Sequence, residues 1–275
     1  FLGSNIIQAL ERSGFSDIVY GNRIQNKSLD CDFIKLNILD KGTMGKLRDF
    51  NTIINCSGQT SKPFNLCYKL NSIGVKNIAE VLLGSKTRLI HISTVAVYGT
   101  SKKSSEASSP KPETRYATAK ALAERTLLDY YNRKHLTILR LSNLYGESQK
   151  RGVIAYMLKS CNSDYKLNFN NDGTLTRQFM HVEDCAKNIV EVVRNPELKG
   201  IYNIKGHENF SLKQLIQLFE KRFSVKFETN FNEIPPLENI QILEDFKFKT
   251  LINIIPKWNL FDFIEEELEK IRYGQ

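Results

Sequence analysis

Residues 87–94, TRLIHIST, are rich in apolar and β-branched side chains and end in two hydroxyl residues, Ser93 and Thr94. A run of this kind predicts a buried β-strand. Four similar runs occur in the first half of the chain, and helical patterns lie between them. This alternation predicts a parallel sheet covered by helices on both faces. Ligands of such sheets bind beyond the carboxyl ends of the strands, where Thr94 is expected.

The first half of the chain therefore has a simple predicted order of elements. The other predicted strands are DIVYG (17–21), DFIKLNI (32–38), NTIINCS (51–57) and LTILRLS (136–142), and the predicted helices lie near 4–13, 41–49, 65–83 and 116–134. The Ser/Lys/Pro-rich segment SKKSSEASSPKP (101–112) predicts a mobile loop.

The regular pattern ends near residue 145, and a second, smaller unit is predicted beyond it. A helix near 182–194 and a strand near 200–204 are expected to rejoin the sheet. Helices near 211–222 and 259–272 are expected in a C-terminal lobe, with surface loops at ESQKRGV and NNDGTLTRQ. The predicted ranges are 1–145 with 178–205 for the sheet domain, and 146–177 with 206–275 for the lobe.

Composition excludes several classes of protein. The chain has 275 residues, 41% of them hydrophobic, which is enough for a sizeable core. The five cysteines form no CxxC pair and the four histidines no HxxxH pair, so we predict no metal site and reduced thiols in a cytoplasmic location. We also expect no membrane partner, because no apolar run approaches the roughly 18 residues of a membrane span.

The net charge of +9 raises the question of a nucleic-acid partner. The lysines are spread along the chain, without a dense basic run or a nucleic-acid-binding motif. We therefore expect no nucleic-acid partner. Steeply salt-dependent binding to an oligonucleotide would revive that alternative.

The segment RYATAKALAE places Tyr116 four residues before Lys120 on a predicted helix. One helical turn puts both side chains on the same face. A phenol has a pKa of about 10, and a neighbouring ammonium is expected to lower it. The pair therefore predicts an acid/base catalyst.

Two other YxxxK pairs occur in the chain, Tyr98/Lys102 and Tyr130/Lys134. The first follows a strand in a turn, where this spacing gives no shared face. The second lies on the same helix, about 21 Å beyond Tyr116. Context favours Tyr116, because Thr94 ends a neighbouring strand and could hydrogen-bond a substrate oxygen beside the phenol.

Seven ordered segments together resemble the extended short-chain dehydrogenases/reductases, specifically the NAD-dependent epimerase/dehydratase group that acts on nucleotide sugars. The resemblance runs along nearly the whole chain and implies a Rossmann-type doubly wound parallel sheet with a smaller C-terminal substrate-binding lobe. The segments are FLGS (1–4), NCSG (55–58), LNSIGVKNIAEVL (70–82), ISTVAVYG (92–99), YATAK (116–120), LRLSNLYG (139–146) and DGTLTRQFMHVEDCA (172–186).

The resemblance also implies roles for individual residues. Tyr116 would exchange a proton, Thr94 would orient the reacting oxygen, and Lys120 would also hold the nicotinamide ribose. The implied cofactor-binding residues are Gly3, Asn37, Ile38, Cys56, Ser57, Gly58, Asn71, Tyr116 and Lys120. The implied substrate-binding residues are Ser93, Thr94, Asn143 and Arg177, with Asn143 and Arg177 on the phosphates. A nucleotide-sugar substrate and a homodimer are expected.

Departures from the family pattern narrow the predicted reaction. The 4,6-dehydratases carry Asp-Glu directly after the catalytic Thr, where this chain has Val95-Ala96. The enzymes that make GDP-fucose carry a Cys and a His where this chain has Ala96 and Gly152. What remains is hydride transfer at the sugar 4-position, as a 4-epimerase or a 4-keto-sugar reductase. The alternative is a non-catalytic dinucleotide-binding scaffold or sensor.

The cofactor is predicted to be NAD or NADP, with NADP favoured. NAD-binding folds usually place a carboxylate after the second strand to hold the ribose 2′-hydroxyl. In this chain, Asn22 and Arg23 of the segment YGNR (20–23) occupy the corresponding position. The Arg23 guanidinium could pair with a 2′-phosphate.

The resemblance raises one further expectation, about FLGS. The family's fold begins with a strand and a loop that carries two glycines, and Gly3 matches the third glycine of that loop. We therefore expect that roughly ten to a dozen residues precede Phe1 in a longer gene product.

Overall fold

The computed structural model describes residues 1–60 and 62–273. The helices are α1 (Leu2–Arg12), α2 (Phe64–Asn71), α3 (Ile73–Val81), α4 (Arg115–Tyr130), α5 (Val153–Cys161), α6 (Val182–Arg194), α7 (Leu212–Phe223), α8 (Phe246–Lys249) and α9 (Leu260–Tyr273). The strands are β1 (Val19–Asn22), β2 (Asp32–Lys35), β3 (Thr52–Asn55), β4 (Arg88–Thr94), β5 (Ser101–Ser104), β6 (Leu136–Leu141), β7 (Asn143–Tyr145), β8 (Lys166–Phe169), β9 (Thr176–His181), β10 (Gly200–Ile204), β11 (Glu208–Ser211), β12 (Glu228–Phe231) and β13 (Ile240–Leu243).

The central sheet is parallel, with the strand order β10-β6-β4-β3. All six residues of β6 are buried, as are the first six of β4, because helices cover both faces. Helices α1 and α6 pack on the face that carries Ile90 and Ile92. Helices α3 and α4 pack on the opposite face, against Leu89 and Ile138. The predicted α/β fold with a doubly wound parallel sheet is confirmed, and the strand at 200–204 rejoins the sheet beside β6.

Strands β1 and β2 form a separate parallel pair. Within the described part of the chain, β1 pairs with β2 and β3 pairs with β4, so each of β1 and β3 has one edge without a strand. Ile53 and Ile54 in β3 are only half-buried, in contrast to the residues of β6. Strands β1, β2, β3, β4, β6 and β10 thus fall into two separate parallel sheets within the described residues.

Three predicted elements differ from the structure. The segment 41–49 forms two short 3₁₀ turns instead of an α-helix, because Gly42 and Gly45 weaken a helix. The predicted helix 65–83 is broken at Ser72, whose backbone leaves the helical region. The predicted mobile loop 101–112 begins with β5, which is held by parallel pairing with β13.

A second buried cluster is formed by residues from 145 onward, and it includes Tyr145 and Phe179 as well as residues of the range predicted for the lobe. Helices α5, α7 and α9 contribute Met157, Leu215, Phe219 and Ile264 to one buried cluster. Phe248 and Ile252 fall within the range predicted for the lobe, but they pack in the cluster of the central sheet. No helix in residues 1–60 and 62–273 is long and apolar enough to cross a membrane.

Candidate active site

Strand β4 carries Thr94 to the carboxyl end of the central sheet. The Thr94 hydroxyl caps the short turn Val95–Tyr98 by accepting a hydrogen bond from the Ala96 backbone N–H at 3.2 Å. Because the hydroxyl accepts this bond, it keeps its own hydrogen for donation to another group. Thr94 is half-buried, so its side chain can meet a ligand at the sheet edge.

Ser93 faces the other way, toward α4. Its hydroxyl donates to the Glu124 carboxylate on α4. Glu124 also accepts three hydrogen bonds from Arg140, and all three side chains are buried. Alternation along a strand explains the difference, since successive side chains point to opposite faces of the sheet.

Helix α4 brings Tyr116 and Lys120 to this edge of the sheet. Thr114 caps the helix by accepting a hydrogen bond from the Ala117 N–H at 3.2 Å. The Lys120 side chain is only 5% exposed, and its ammonium donates to the Ile92 carbonyl at 2.9 Å. Burial lowers the pKa of Lys120 to about 8.

The pKa of Tyr116 is shifted upward, opposite to the sequence-based prediction. Burial is the largest cause, and the nearby Cys67 and Glu238 add to it. Lys120 does not contribute to the shift, since its ammonium is turned toward the Ile92 carbonyl of β4. The phenol is therefore protonated at neutral pH in this environment.

Gly58 and Asn71 line the space beside Lys120. Gly58 has φ +147°, and a Cβ there would lie 2.3 Å from Asn71 Oδ1 and 3.6 Å from Lys120 Nζ. The Asn71 amide donates to the carbonyls of Gln59 (2.7 Å) and Cys67 (2.9 Å). The buried Asn71 Oδ1 accepts no hydrogen bond within the described residues. The Asn71 amide oxygen can therefore accept a hydrogen bond from a ligand bound beside Lys120.

The amino terminus of α1 lies at the carboxyl end of β3. A Cβ on Gly3 would meet the Cys56 Cβ at 3.9 Å, which is an ordinary contact, so packing within the chain does not require glycine there. Backbone N–H groups in the first turn of a helix suit a phosphate. The Ser57 N–H instead donates to Asn55 Oδ1 at 3.1 Å.

Four further predicted cofactor contacts lie after β1 and β2. Asn22 ends β1 and accepts a hydrogen bond from the exposed Arg23 N–H at 2.8 Å. Asn37 is half-buried and accepts from the Leu39 N–H at 3.1 Å. The Ile38 side chain is packed against Gly74 in the buried cluster under α3, so it does not present an open surface.

The predicted phosphate-binding residues lie on two paired strands, β7 and β9. Asn143 is exposed at the start of β7. Arg177 on β9 is half-buried, and its Nη1 donates to the carbonyls of Glu238 (2.8 Å) and Thr176 (3.1 Å). Burial lowers the pKa of Arg177, and the Glu238 carboxylate opposes that shift.

Sequence analysis missed Glu238, which contacts Arg177 and lies near Tyr116. It belongs to an irregular segment before β13 whose composition carries no motif, so only the folded chain reveals it. Within residues 1–60 and 62–273, no group of three or more His, Cys, Asp or Glu side chains could hold a metal ion.

Comparisons with known proteins identify a family and several relatives. A family model described as the NAD dependent epimerase/dehydratase family matches residues 1–204. The chain is 29% identical over 191 residues to methionine adenosyltransferase 2 subunit beta of Xenopus laevis, covering 64% of this chain and 56% of that protein. It is 26% identical over 243 residues to UDP-N-acetyl-alpha-D-glucosaminuronate decarboxylase of Bacillus cytotoxicus, covering 79% of this chain and 75% of that protein.

Solved structures give the same fold. The crystal structure of UDP-glucuronic acid 4-epimerase from Bacillus cereus, in complex with UDP-glucuronic acid and NAD, superposes with a TM-score of 0.86. The two sequences are 24% identical, and the match covers 100% of this chain and 97% of that one. At this identity the likeness establishes the fold.

Proposed function

The chain belongs to the NAD-dependent epimerase/dehydratase family, and from this premise we propose that it is a nucleotide-sugar 4-epimerase or 4-keto-sugar reductase. The proposed catalytic residues are Thr94, Tyr116 and Lys120. The observation that carries the proposal is the bond from Lys120 to the Ile92 carbonyl, which ties the helix of Tyr116 to the strand that ends in Thr94.

The geometry suits chemistry at a carbinol or ketone carbon. Thr94 keeps a hydrogen to donate to the sugar 4-oxygen, and Tyr116 holds the proton that moves to or from that oxygen. Lys120 supplies a positive charge beside the site and a donor for a ribose hydroxyl. A bound nicotinamide dinucleotide would supply hydride acceptance and donation.

The residues along one edge of the sheet fit a dinucleotide cofactor. Gly3 lies in the first turn of α1, where backbone N–H groups would meet the pyrophosphate, and Gly58, Asn71 and Lys120 would surround the nicotinamide ribose. We propose NADP as the preferred form, because the exposed Arg23 directly follows β1, at a position where NAD-binding folds usually carry a carboxylate. The relative solved with UDP-glucuronic acid contains NAD, so NAD is the alternative.

The two reactions make different demands on Tyr116. A reductase uses the phenol once, as an acid, and Tyr116 is protonated at neutral pH, as that role requires. An epimerase also needs the phenolate as a base in its first half-reaction. Dehydration is not proposed, because Val95 and Ala96 cannot carry protons where a dehydratase has Asp-Glu.

A non-catalytic dinucleotide-binding subunit is the second candidate. It is favoured by one relative, whose name describes it as the beta subunit of methionine adenosyltransferase 2. The Thr94, Tyr116 and Lys120 set argues for catalysis, since a binding subunit does not require an acid/base pair.

The test is turnover of a panel of nucleotide sugars and 4-keto nucleotide sugars with NAD, NADH, NADP and NADPH, followed by chromatography and NMR. Conversion at the sugar 4-position, abolished in Tyr116→Phe, supports the proposal. Binding of a dinucleotide without conversion of any substrate would favour the second candidate.

A further inference from the structure

Glu238 joins two parts of the candidate site that lie on different elements. Its backbone carbonyl accepts a 2.8 Å hydrogen bond from Arg177 Nη1 on β9. Its side-chain carboxylate accepts a hydrogen bond from the hydroxyl of Thr114, the cap of α4. Its backbone N–H donates to the carboxylate of Glu113. Glu238 therefore lies between the start of the catalytic helix and Arg177.

The backbone of Glu238 is in an unfavourable conformation that these contacts maintain. Its φ is +56°, in the left-handed region that side chains other than Gly and Asn seldom adopt. A non-glycine residue stays there only when the surroundings over-determine it. Here, the bonds to Arg177, Thr114 and Glu113 hold the residue and direct its carboxylate toward the start of α4.

This position matters for the sugar, and the argument rests on the proposed function. Under that function, Arg177 binds the diphosphate at sugar carbon 1, and Tyr116 reaches the oxygen on carbon 4. The sugar ring must then lie along the line from Arg177 to Tyr116. The Glu238 carboxylate is near both ends of that line, because it accepts from Thr114, two residues before Tyr116, and its charge acts on both Tyr116 and Arg177.

We propose that Glu238 is a specificity-determining residue that selects nucleotide sugars with an uncharged sugar over nucleotide uronic acids. A carboxylate accepts hydrogen bonds from sugar hydroxyls. The same group repels a carboxylate on carbon 5 of the sugar, and the nearby Glu113 carboxylate adds to the repulsion. Removal from bulk water strengthens such like-charge effects.

The test compares the binding of UDP-glucose and UDP-glucuronic acid, which share one nucleotide, so that nucleotide preference cancels in the ratio of their dissociation constants. Calorimetry is performed on the Tyr116→Phe protein, in which turnover is blocked, loaded with whichever of NADP and NAD binds more tightly. The variant Glu238→Gln removes the charge but keeps an oxygen that can accept from Thr114. Glu233→Gln, at an exposed position in the same segment, is the matched control.

We expect UDP-glucose to bind at least about tenfold more tightly than UDP-glucuronic acid. Glu238→Gln should reduce that ratio by about threefold or more, and Glu233→Gln should leave it unchanged. Equal binding of the two sugars, tighter binding of the uronic acid, or an unchanged ratio in Glu238→Gln would overturn the inference while the proposed function stands. Binding of neither nucleotide sugar would overturn the proposed function, and the inference with it.

Discussion

The Lys120 ammonium and the Ile92 carbonyl are joined by a 2.9 Å hydrogen bond inside the protein. The bond crosses from α4 to β4, two residues before Thr94, and so fixes the catalytic helix relative to the strand. The ammonium is nevertheless largely removed from water, and burial lowers its pKa from 10.5 to about 8. Lys120 therefore positions the candidate site and also lowers the stability of the folded protein.

Lys120→Met is expected to raise the free energy of unfolding at pH 7 by roughly 2 kcal/mol, because the cost of burying the charge exceeds the value of one hydrogen bond. The folded pKa lies below the unfolded value, so the wild type becomes more stable as the pH rises from about 8 to about 10.5. The difference in free energy of unfolding between Lys120→Met and the wild type should therefore become smaller across that pH range.

Urea unfolding at pH 7 and pH 10 measures this difference. Lys134→Met, at an exposed position, is the control and should leave the free energy of unfolding unchanged at both pH values. A Lys120→Met protein that is less stable than wild type at pH 7 would contradict the expectation, and would show that the bond to Ile92 outweighs desolvation.

Tyr116→Phe should reduce kcat by at least two orders of magnitude, which is the usual contribution of general acid–base catalysis. The fold should remain intact, because only one hydroxyl is removed. Tyr130→Phe is the matched control on the same helix, at a side chain that is 53% exposed. Steady-state kinetics and thermal melts of both variants provide the check, and comparable losses in the two would refute the assignment of the motif.

Sequence patterns predicted the fold best where strands are buried on both faces. β4 and β6 were predicted nearly to the residue, because continuous apolar runs leave few alternatives. β5 was missed, since its polar sequence becomes a strand only by pairing with residues 240–243, far along the chain. Local patterns carry no information about such distant partners.

The candidate site was predicted in part for the same reason. Spacing placed Tyr116 and Lys120 on one helix, and the structure has them there. The predicted direction of the Tyr116 pKa shift was wrong. That shift depends on burial and on the charges of Cys67 and Glu238, which lie far from Tyr116 in the sequence. The bond of Ser93 to Glu124 was not predicted, because the face of β4 that a hydroxyl occupies depends on strand register.

Arg23→Ala should weaken NADP binding about tenfold or more and leave NAD binding nearly unchanged, since a charge-assisted contact to a 2′-phosphate exists only in NADP. Fluorescence titration with both reduced cofactors measures the effect. The exposed Arg125→Ala is a control that removes the same charge elsewhere. An NAD preference that Arg23→Ala does not alter would refute the proposed role of Arg23.

Arg177→Lys should raise the KM for a nucleotide sugar by about tenfold or more, because an ammonium cannot form the paired bonds of a guanidinium to a phosphate. The value of kcat should change less, since Arg177 binds away from the reacting carbon. Steady-state kinetics with UDP-glucose or the preferred substrate gives both constants. A lower kcat with unchanged KM would place Arg177 at the reacting centre.

Ser93 and Thr94 are adjacent hydroxyl residues for which opposite outcomes are expected. Ser93→Ala removes a donor to the buried Glu124, whose remaining partner is Arg140. A hydrogen bond to a charged group contributes roughly 1.5–3 kcal/mol, so the free energy of unfolding should fall by about that much. The KM for substrate should stay the same, because the Ser93 hydroxyl is on the side of β4 that faces Glu124.

Thr94→Val should have the reverse effect. It keeps the shape of the side chain and removes the hydroxyl that is proposed to meet the sugar oxygen, so kcat should fall by about tenfold or more. Stability should decrease by only about 1 kcal/mol, from loss of the bond with the Ala96 N–H. Denaturant unfolding and steady-state kinetics, each measured on Ser93→Ala and Thr94→Val, compare the effect of the two hydroxyls on stability and on catalysis. A raised KM in Ser93→Ala at unchanged stability would return Ser93 to the substrate crevice, since only a contact with the substrate links that hydroxyl to KM without a cost in folding.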